Sequence, residues 1–428
     1  MTRERAAIAA ALLFALVIGI LEVHDAVRAR VLMGDFRAFY CAGQIAAEHG
    51  DPYAGDDLAR CEHEAAPEHF FSPQPTLVVP APLPGYLVAA FVPLGILPLP
   101  LAAIVFSLAS LIATALGAWC LVRLRWTSTA CVIVATALPV LALSFCFGQL
   151  PPFTFAGVAL TAWAMGTGRP RWCALGVVLA MAAPQLGVPL ALAAIVSDRR
   201  TWGTMIAAFA GLGALSLLVV GLAHNIEFMR DVLPAHIASE VPSMKQYSLS
   251  WALHQFGWSD AAARAGGQIS YLVMVGLGAV VAWILARRGE SAAACAMAPT
   301  LALIGGPFVH LAHMLAAIPA ALWLAERTRP HAIGTAPLIA LALPIPILFS
   351  DPLHVLAIPV IAGWIAYAYV ERQAIALRAA AGAICASALL AVLLSHSGLK
   401  PGTPVTASAT GSATGSINAQ TSLSLIHI

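Results

Sequence analysis

Long apolar runs, interrupted by short connections rich in Arg, Pro and Gly, recur along this chain from end to end. Many are long enough to cross a bilayer as helices. The pattern predicts helices over roughly 6–22, 100–122, 129–147, 152–167, 172–183, 185–197, 202–222, 269–287, 291–306, 311–325, 332–349, 353–370 and 376–395. The runs are continuous and rich in Ala and Leu, without the polar–apolar alternation of a β-barrel strand. The expected fold class is therefore an all-α polytopic membrane protein with roughly 11–13 transmembrane helices.

The polar positions orient these helices. Every second connection carries an Arg pair: Arg123/Arg125, Arg169/Arg171, Arg199/Arg200, Arg287/Arg288, Arg327/Arg329 and Arg372/Arg378, with Arg3 and Arg5 before the first run. Cytoplasmic connections collect Arg and Lys, so these are read as cytoplasmic. The first run is followed by Glu22-Val23-His24-Asp25, which lacks a small-residue cleavage site, so an uncleaved helix with a cytoplasmic N-terminus is expected.

The expected organisation is a first transmembrane helix (1–22), an outer loop with interfacial helices (23–99) and a multi-helix membrane domain (100–395). A second outer loop covers 223–268, and 396–428 form a disordered tail. Pro80–Pro98 is apolar but contains five prolines, Pro80, Pro82, Pro84, Pro93 and Pro98. A span there would also place the later Arg pairs outside, so the segment is expected to lie along, or dip into, the outer surface. The short runs 172–183 and 185–197 break at Pro184-Gln185, as bent helices do when they line a buried cavity. Residues 401–421 have a disordered composition. Leu423-Ser424-Leu425-Ile426-His427-Ile428 reads as translated sequencing adapter, so the natural C-terminus is expected to differ.

Composition sharpens the class. Hydrophobic residues make up 60% of the chain and charged residues 10%, which excludes an ordinary soluble domain. A net charge of +2 without a basic tract gives no reason to expect nucleic acid. Of eight cysteines, Cys41 and Cys61 fall in the first outer loop, where an oxidising compartment would permit a disulfide between them; the alternative is two small unlinked residues.

Acidic groups are few, so Asp35, in the first polar stretch after the first run, attracts attention. One reading makes it a helix N-cap, with Phe36, Tyr40, Gly43 and Ala47 on one helical face. The other makes it a general base at the membrane boundary, with Arg37 and Tyr40 supplying a cation and a hydroxyl. Glu62, His63, Glu64, Glu68 and His69 fit no strong metal-ligand spacing and read as a solvated loop. His310 and His313 enter an otherwise apolar helix one turn apart, which suggests a shared polar site, with inconsequential interfacial histidines as the alternative.

Taken in order, Asp35-Phe36-x-x-Phe39-Tyr40-x-Ala42 and Gly50-Asp51-Pro52-Tyr53-Ala54 resemble the opening of glycosyltransferase family 87. So do Pro82-Leu83-Pro84, Pro93-Leu94-Gly95-Ile96-Leu97-Pro98, Gly148-Gln149, Pro184-Gln185-Leu186, Pro307 and His313 in their places. That family comprises membrane mannosyltransferases of the GT-C type that use polyprenyl-phosphate sugars. The resemblance implies a GT-C-like bundle in the plasma membrane with its active site on the outer face. It also implies inverting transfer of a hexose, mannose by family precedent, to a lipid or glycan acceptor, with neither metal nor cofactor. By the same resemblance Asp35 is the general base, His313 or His310 meets the donor phosphate, and Gln185 belongs to a Lys-Pro-Gln segment facing the carrier phosphate. Here the sequence departs, because Ala183 stands at the lysine position and Lys245 and Lys400 are the two lysines of the chain. Arg37, Arg230, Lys245 and Arg264 are then candidates for the missing cation. The rival readings are a transporter or lipid flippase, and a transferase that has lost its activity. Against the transporter stand nearly uncharged mid-span segments and the lack of an internal repeat.

Overall fold

The computed structural model describes residues 33–64, 81–136, 139–242 and 248–327, and all the regular structure among them is helical. In chain order the helices are α1 (Gly34–Ala47), α2 (Gly55–Glu64), α3 (Gly85–Gly95), α4 (Leu99–Leu124), α5 (Thr129–Thr136), α6 (Pro139–Phe147), α7 (Pro151–Gly166) and α8 (Pro170–Ala180). There follow α9 (Pro184–Ser197), α10 (Trp202–Val219), α11 (Gly221–Glu227), α12 (Leu233–Glu240), α13 (Leu249–Gln255), α14 (Asp260–Arg287), α15 (Ser291–Ile304) and α16 (Ile318–Arg327). The predicted helices 6–22, 332–349, 353–370 and 376–395, and the tail, lie outside the described residues.

Two helices that are apolar on every side fill the centre, as expected of a helix with no polar face. In α7 nearly every residue from Pro151 to Ala164 is buried, and in α15 every residue from Ala292 to Leu303. Around them, Leu99–Leu124, Arg199–Val219 and Asp260–Arg287 are long and apolar enough to cross a membrane. Helix α4 shows how one sequence serves two surroundings. Ala102, Phe106, Ala113, Gly117 and Cys120 recur at helical spacing and turn inward, while Ile104, Leu108, Leu111 and Ile112 face outward. An exposed face of that size built from Leu and Ile belongs against lipid.

The predicted spans agree with these helices apart from their ends. Helix α14 starts at Asp260 rather than 269 because Ser259 caps it, its Oγ accepting the Ala262 N–H at 3.4 Å. The run 311–325 begins as a 3-10 stretch, Leu311–Ala317, before becoming α16. The run 129–147 is described as two helices, α5 and α6.

The break between α8 and α9 is stabilised by two tyrosines. Pro189 has no N–H, so the Gln185 carbonyl lacks its i+4 donor; the Tyr271 hydroxyl donates to it instead at 2.9 Å. The Met181 carbonyl, where α8 stops, accepts from the Tyr86 hydroxyl at 3.0 Å. Broken helices persist in apolar surroundings only where such carbonyls find donors.

The bundle has chemically distinct ends. Arg123 lies over Trp119 (5.7 Å), Arg169 over Trp163 (5.0 Å) and Arg287 over Trp283 (4.8 Å), all near the C-terminal ends of α4, α7 and α14. Trp119 and Trp163 touch, with ring centroids 5.4 Å apart. Aromatic and cationic side chains gather in this way at membrane–water boundaries.

At the other end, α1 docks on α3. Their axes approach so closely that a Cβ on Gly43 would lie 2.5 Å from the Phe91 carbonyl oxygen and 2.6 Å from its carbon. Phe36 stacks against Phe106 (4.8 Å) and Phe39 against Phe91 (5.4 Å). Helix α2 is held to α1 by a Cys41–Cys61 disulfide with a Cα–Cα distance of 5.7 Å. Beside it the buried Arg37 donates to Glu62 at 3.0 Å. Glu62 is thus no part of a solvated acidic loop: it is 2% exposed and neutralises a buried arginine. His63 and Glu64 are exposed, and Glu68 and His69 lie outside the described residues.

Two outcomes are expected. Gly43→Ala forces a methyl group against backbone that cannot swing aside, lowering stability by about 1–3 kcal/mol, which a thermal melt in detergent will register. Cys41→Ser releases a loop whose closure is worth about 3 kcal/mol by the chain-entropy estimate. The wild-type chain, but not this variant, should therefore melt lower after reduction.

Candidate active site

The α1–α3 corner, the α8–α9 break, the α11–α12 segment, the start of α14 and the Pro307–His313 turn enclose a cavity of about 680 Å³. Asp35, Gln149, Gln185, His310 and His313 all line it, with Ala183 at the break. These residues come from separate parts of the chain, and the fold brings them into one space.

Asp35 is not the N-cap of α1. Met33 holds that position in a left-handed conformation (φ 55°), and Asp35 lies inside the first turn, where a carboxylate favours the positive helix end. Its Oδ2 accepts the Gln149 Nε2–H at 2.7 Å. Gln149 follows Gly148, which has φ +69° and sits so tightly under Phe36 that a side chain there would strike it. A backbone bond from Met33 N–H to the Cys146 carbonyl, 2.7 Å, fastens the same junction. Glycine is therefore needed at 148 for both its backbone angle and its lack of bulk.

On the opposite wall the two histidines form a reciprocal capping box around the Leu311–Ala317 turn. The His310 backbone N–H donates to His313 Nδ1 at 3.2 Å, while the His313 backbone N–H donates to the His310 carbonyl at 3.0 Å and faces the His310 ring in the capping box. His313 Nε2 stands 3.5 Å from Gln185 Nε2. His310 Nε2 lies 3.6 Å from Glu240 Oε2, and His236 Nδ1 3.8 Å from Glu240 Oε1. Phe308 packs among the three imidazoles, edge-on to His236 with centroids 5.3 Å apart. Sequence reasoning overlooked Glu240 and His236. Their signal was the i, i+4 spacing of a histidine and a glutamate in a segment otherwise taken for loop.

The expected cations are elsewhere. Arg37 is locked to Glu62 and Tyr40 is buried, its hydroxyl donating to the Leu97 carbonyl at 2.8 Å, so neither lines the cavity. Burial also pushes the Tyr40 phenol above its ordinary pKa, keeping it a neutral donor. Arg230 is exposed and chelated by Asp231 at 2.7 Å, Arg264 is half-buried away from the cavity, and Lys245 lies outside the described residues. Among the described residues lining the cavity there is no Lys or Arg.

A second cluster lies outside this cavity. Asp51, His224 and Glu227 bring metal-ligand-type atoms within 4.8 Å of one another. His224 Nδ1 sits 3.3 Å from Asp51 Oδ1 and 3.2 Å from Glu227 Oε2, tying the turn after α1 to α11. Beside it the Tyr53 hydroxyl donates to the Leu83 carbonyl at 2.8 Å. Burial and the neighbouring Asp51 and Glu227 carboxylates raise that phenol well above its usual range.

An all-helical arrangement with lipid-facing spans, and a cavity at the end away from the tryptophan-stacked Arg123, Arg169 and Arg287, defines a polytopic membrane protein. The chain is a member of glycosyltransferase family 87, whose profile matches residues 84–312, more than half of its length. It is accordingly a membrane glycosyltransferase. The matched stretch includes Gln149, Gln185, Glu240 and His310; Asp35 and His313 fall outside it and reach the same cavity through the fold. Comparison with curated proteins and with solved structures gives no match.

Gln149→Glu places a second carboxylate against Asp35. Two carboxylates so close share a proton, so less Asp35 is ionised at neutral pH and more is recovered as pH rises. With Asp35 as the base, the role proposed below, the acid limb of the transfer-rate profile should move upward by about one unit or more. An unmoved profile would detach Gln149 and Asp35 from the rate.

Proposed function

We propose that this protein transfers a hexose, mannose in our reading, from a polyprenyl-phosphate sugar to an acceptor hydroxyl on a lipid or glycan, with inversion. The observation that carries the reading is the convergence of Asp35 with Gln185, His310 and His313 on one cavity. Asp35 takes the proton of the acceptor hydroxyl as its oxygen bonds to the anomeric carbon. The bond from that carbon to the phosphate oxygen breaks on the opposite face, and the polyprenyl phosphate leaves as an anion. That anion requires hydrogen-bond donors more than an acid. With no Lys or Arg among the described lining residues, the His313 imidazole N–H and the Gln185 amide take this role, with Lys245 a further candidate.

A lipid carrier suits the cavity's open side. Leu272, 68% exposed on α14, and Met229, 63% exposed, line it and also face the apolar exterior. The donor's sugar phosphate can enter between them while its prenyl chain stays in lipid. By the positive-inside rule the arginine-bearing end is cytoplasmic, which supports an active site on the outer face of the plasma membrane.

Asp35→Asn preserves size and a hydrogen bond to Gln149 but removes the base. Transfer from radiolabelled polyprenyl-phosphate mannose in isolated membranes should fall by about 10²–10⁴-fold, with protein level and melting temperature unchanged. Near-full activity in that variant sinks the assignment.

A further inference from the structure

We infer that Glu240 is a positioning residue of this site, setting through His310 the imidazole N–H that His313 presents to the anionic phosphate. The inference rests on the transferase reading for its ligand, but its geometry stands independently.

A neutral imidazole has one donor nitrogen and one acceptor nitrogen. His313 Nδ1 accepts the His310 backbone N–H, so the ring's proton is on Nε2, which faces Gln185 in the cavity wall. The Gln185 amide must then turn its oxygen toward that N–H. His310 is held by the complementary arrangement. Its ring faces the His313 backbone N–H, which is shared with the His310 carbonyl, and this leaves Nε2 to carry the proton and face Glu240 Oε2 at 3.6 Å.

That separation is too long for a hydrogen bond, but a carboxylate at this range still favours the tautomer with its N–H directed toward it. Glu240 is 5% exposed, so solvent does little to weaken the preference. His236, one turn earlier on the same helical segment, faces the other carboxylate oxygen at 3.8 Å. Phe308 fills the space among the rings and limits their rotation. If His310 carried its proton on the other nitrogen, the ring would turn a donor toward the His313 N–H that it now faces. The backbone bond from that N–H to the His310 carbonyl would remain, but the capping box would loosen, and with it the aim of the His313 Nε2–H.

The test uses the full chain in lipid nanodiscs, labelled with ¹⁵N-histidine, with His310→Asn and His313→Asn difference spectra assigning the two rings. At neutral pH both should show the Nε2–H tautomer. Glu240→Ala should add an Nδ1–H population at His310 and lower kcat for transfer from polyprenyl-phosphate mannose by about 10–100-fold, the scale of lost outer-shell support. KM should stay within about threefold if ground-state binding is untouched. Glu240→Gln, whose amide oxygen still accepts, should retain the wild-type tautomer and most of the rate.

Three results overturn the inference: a wild-type His310 imidazolium, a Glu240→Ala protein with wild-type spectrum and rate, or a Glu240→Gln protein as impaired as the alanine variant. Should Glu240→Ala fail to fold, the wild-type and glutamine spectra still decide. If the wild-type chain transfers no sugar, the function reading fails by itself, and the tautomer spectra still judge Glu240.

Discussion

The site depends on one junction, where the first turn of α1 rests on the corner between α6 and α7. Gln149 and Asp35 are 114 positions apart, so their 2.7 Å hydrogen bond forms only if the intervening helices are already packed. The junction is crowded: Phe36 lies over Gly148, and the Met33 N–H is bound to the Cys146 carbonyl. Such a contact has little tolerance for displacement, because neither the glycine nor the backbone bond can adapt as a flexible side chain would. The Gly43 approach, the disulfide and the Arg37–Glu62 pair hold α1 from its other sides. A carboxylate that would be costly in apolar surroundings is thereby fixed at a cavity wall with a donor to satisfy it.

The opposite wall answers the same requirement differently. Pro189 leaves a carbonyl without a donor and the α8–α9 break exposes another, and Tyr271 and Tyr86 supply both from helices that line the cavity. Gln185 is thus held through its own backbone, and its side chain remains available to the space in front of it. Ala183 stands at the break, and the polar groups across from it include two imidazoles and the Glu240 carboxylate. An imidazole N–H donates without bringing a full charge into a poorly solvated site. That suits a site already containing Asp35 and Glu240.

Much of this was legible in the sequence. Apolar runs gave the helices, because bilayer partitioning sets them without tertiary information. The break at Pro184 could be read because proline acts locally. What failed were pairings across the chain. Arg37 looked like a free cation because Glu62, 25 positions on, looked like a member of a solvated acidic cluster; each was misread for want of the other. Capping stood beside catalysis as a reading of Asp35, since capping is judged from neighbours in sequence, whereas its Gln149 contact is made in three dimensions. Glu240 and His236 were hidden for the opposite reason: their helical spacing was local, but nothing indicated that a segment taken for loop would face a cavity.

The Arg37–Glu62 pair also bears on which groups reach the cavity wall. Arg37 lies two residues from Asp35, and its guanidinium is bound to Glu62. A carboxylate matched to a guanidinium is a poor base, because the cation stabilises its ionised form and lowers its affinity for a proton. In an α-helix, residues two apart point in different directions, and α2 receives Arg37 on the side away from the cavity. The disulfide that holds α2 against α1 therefore has a consequence beyond stability. By keeping Glu62 in place it holds the Arg37 guanidinium off the cavity wall that Asp35 and Gln149 share.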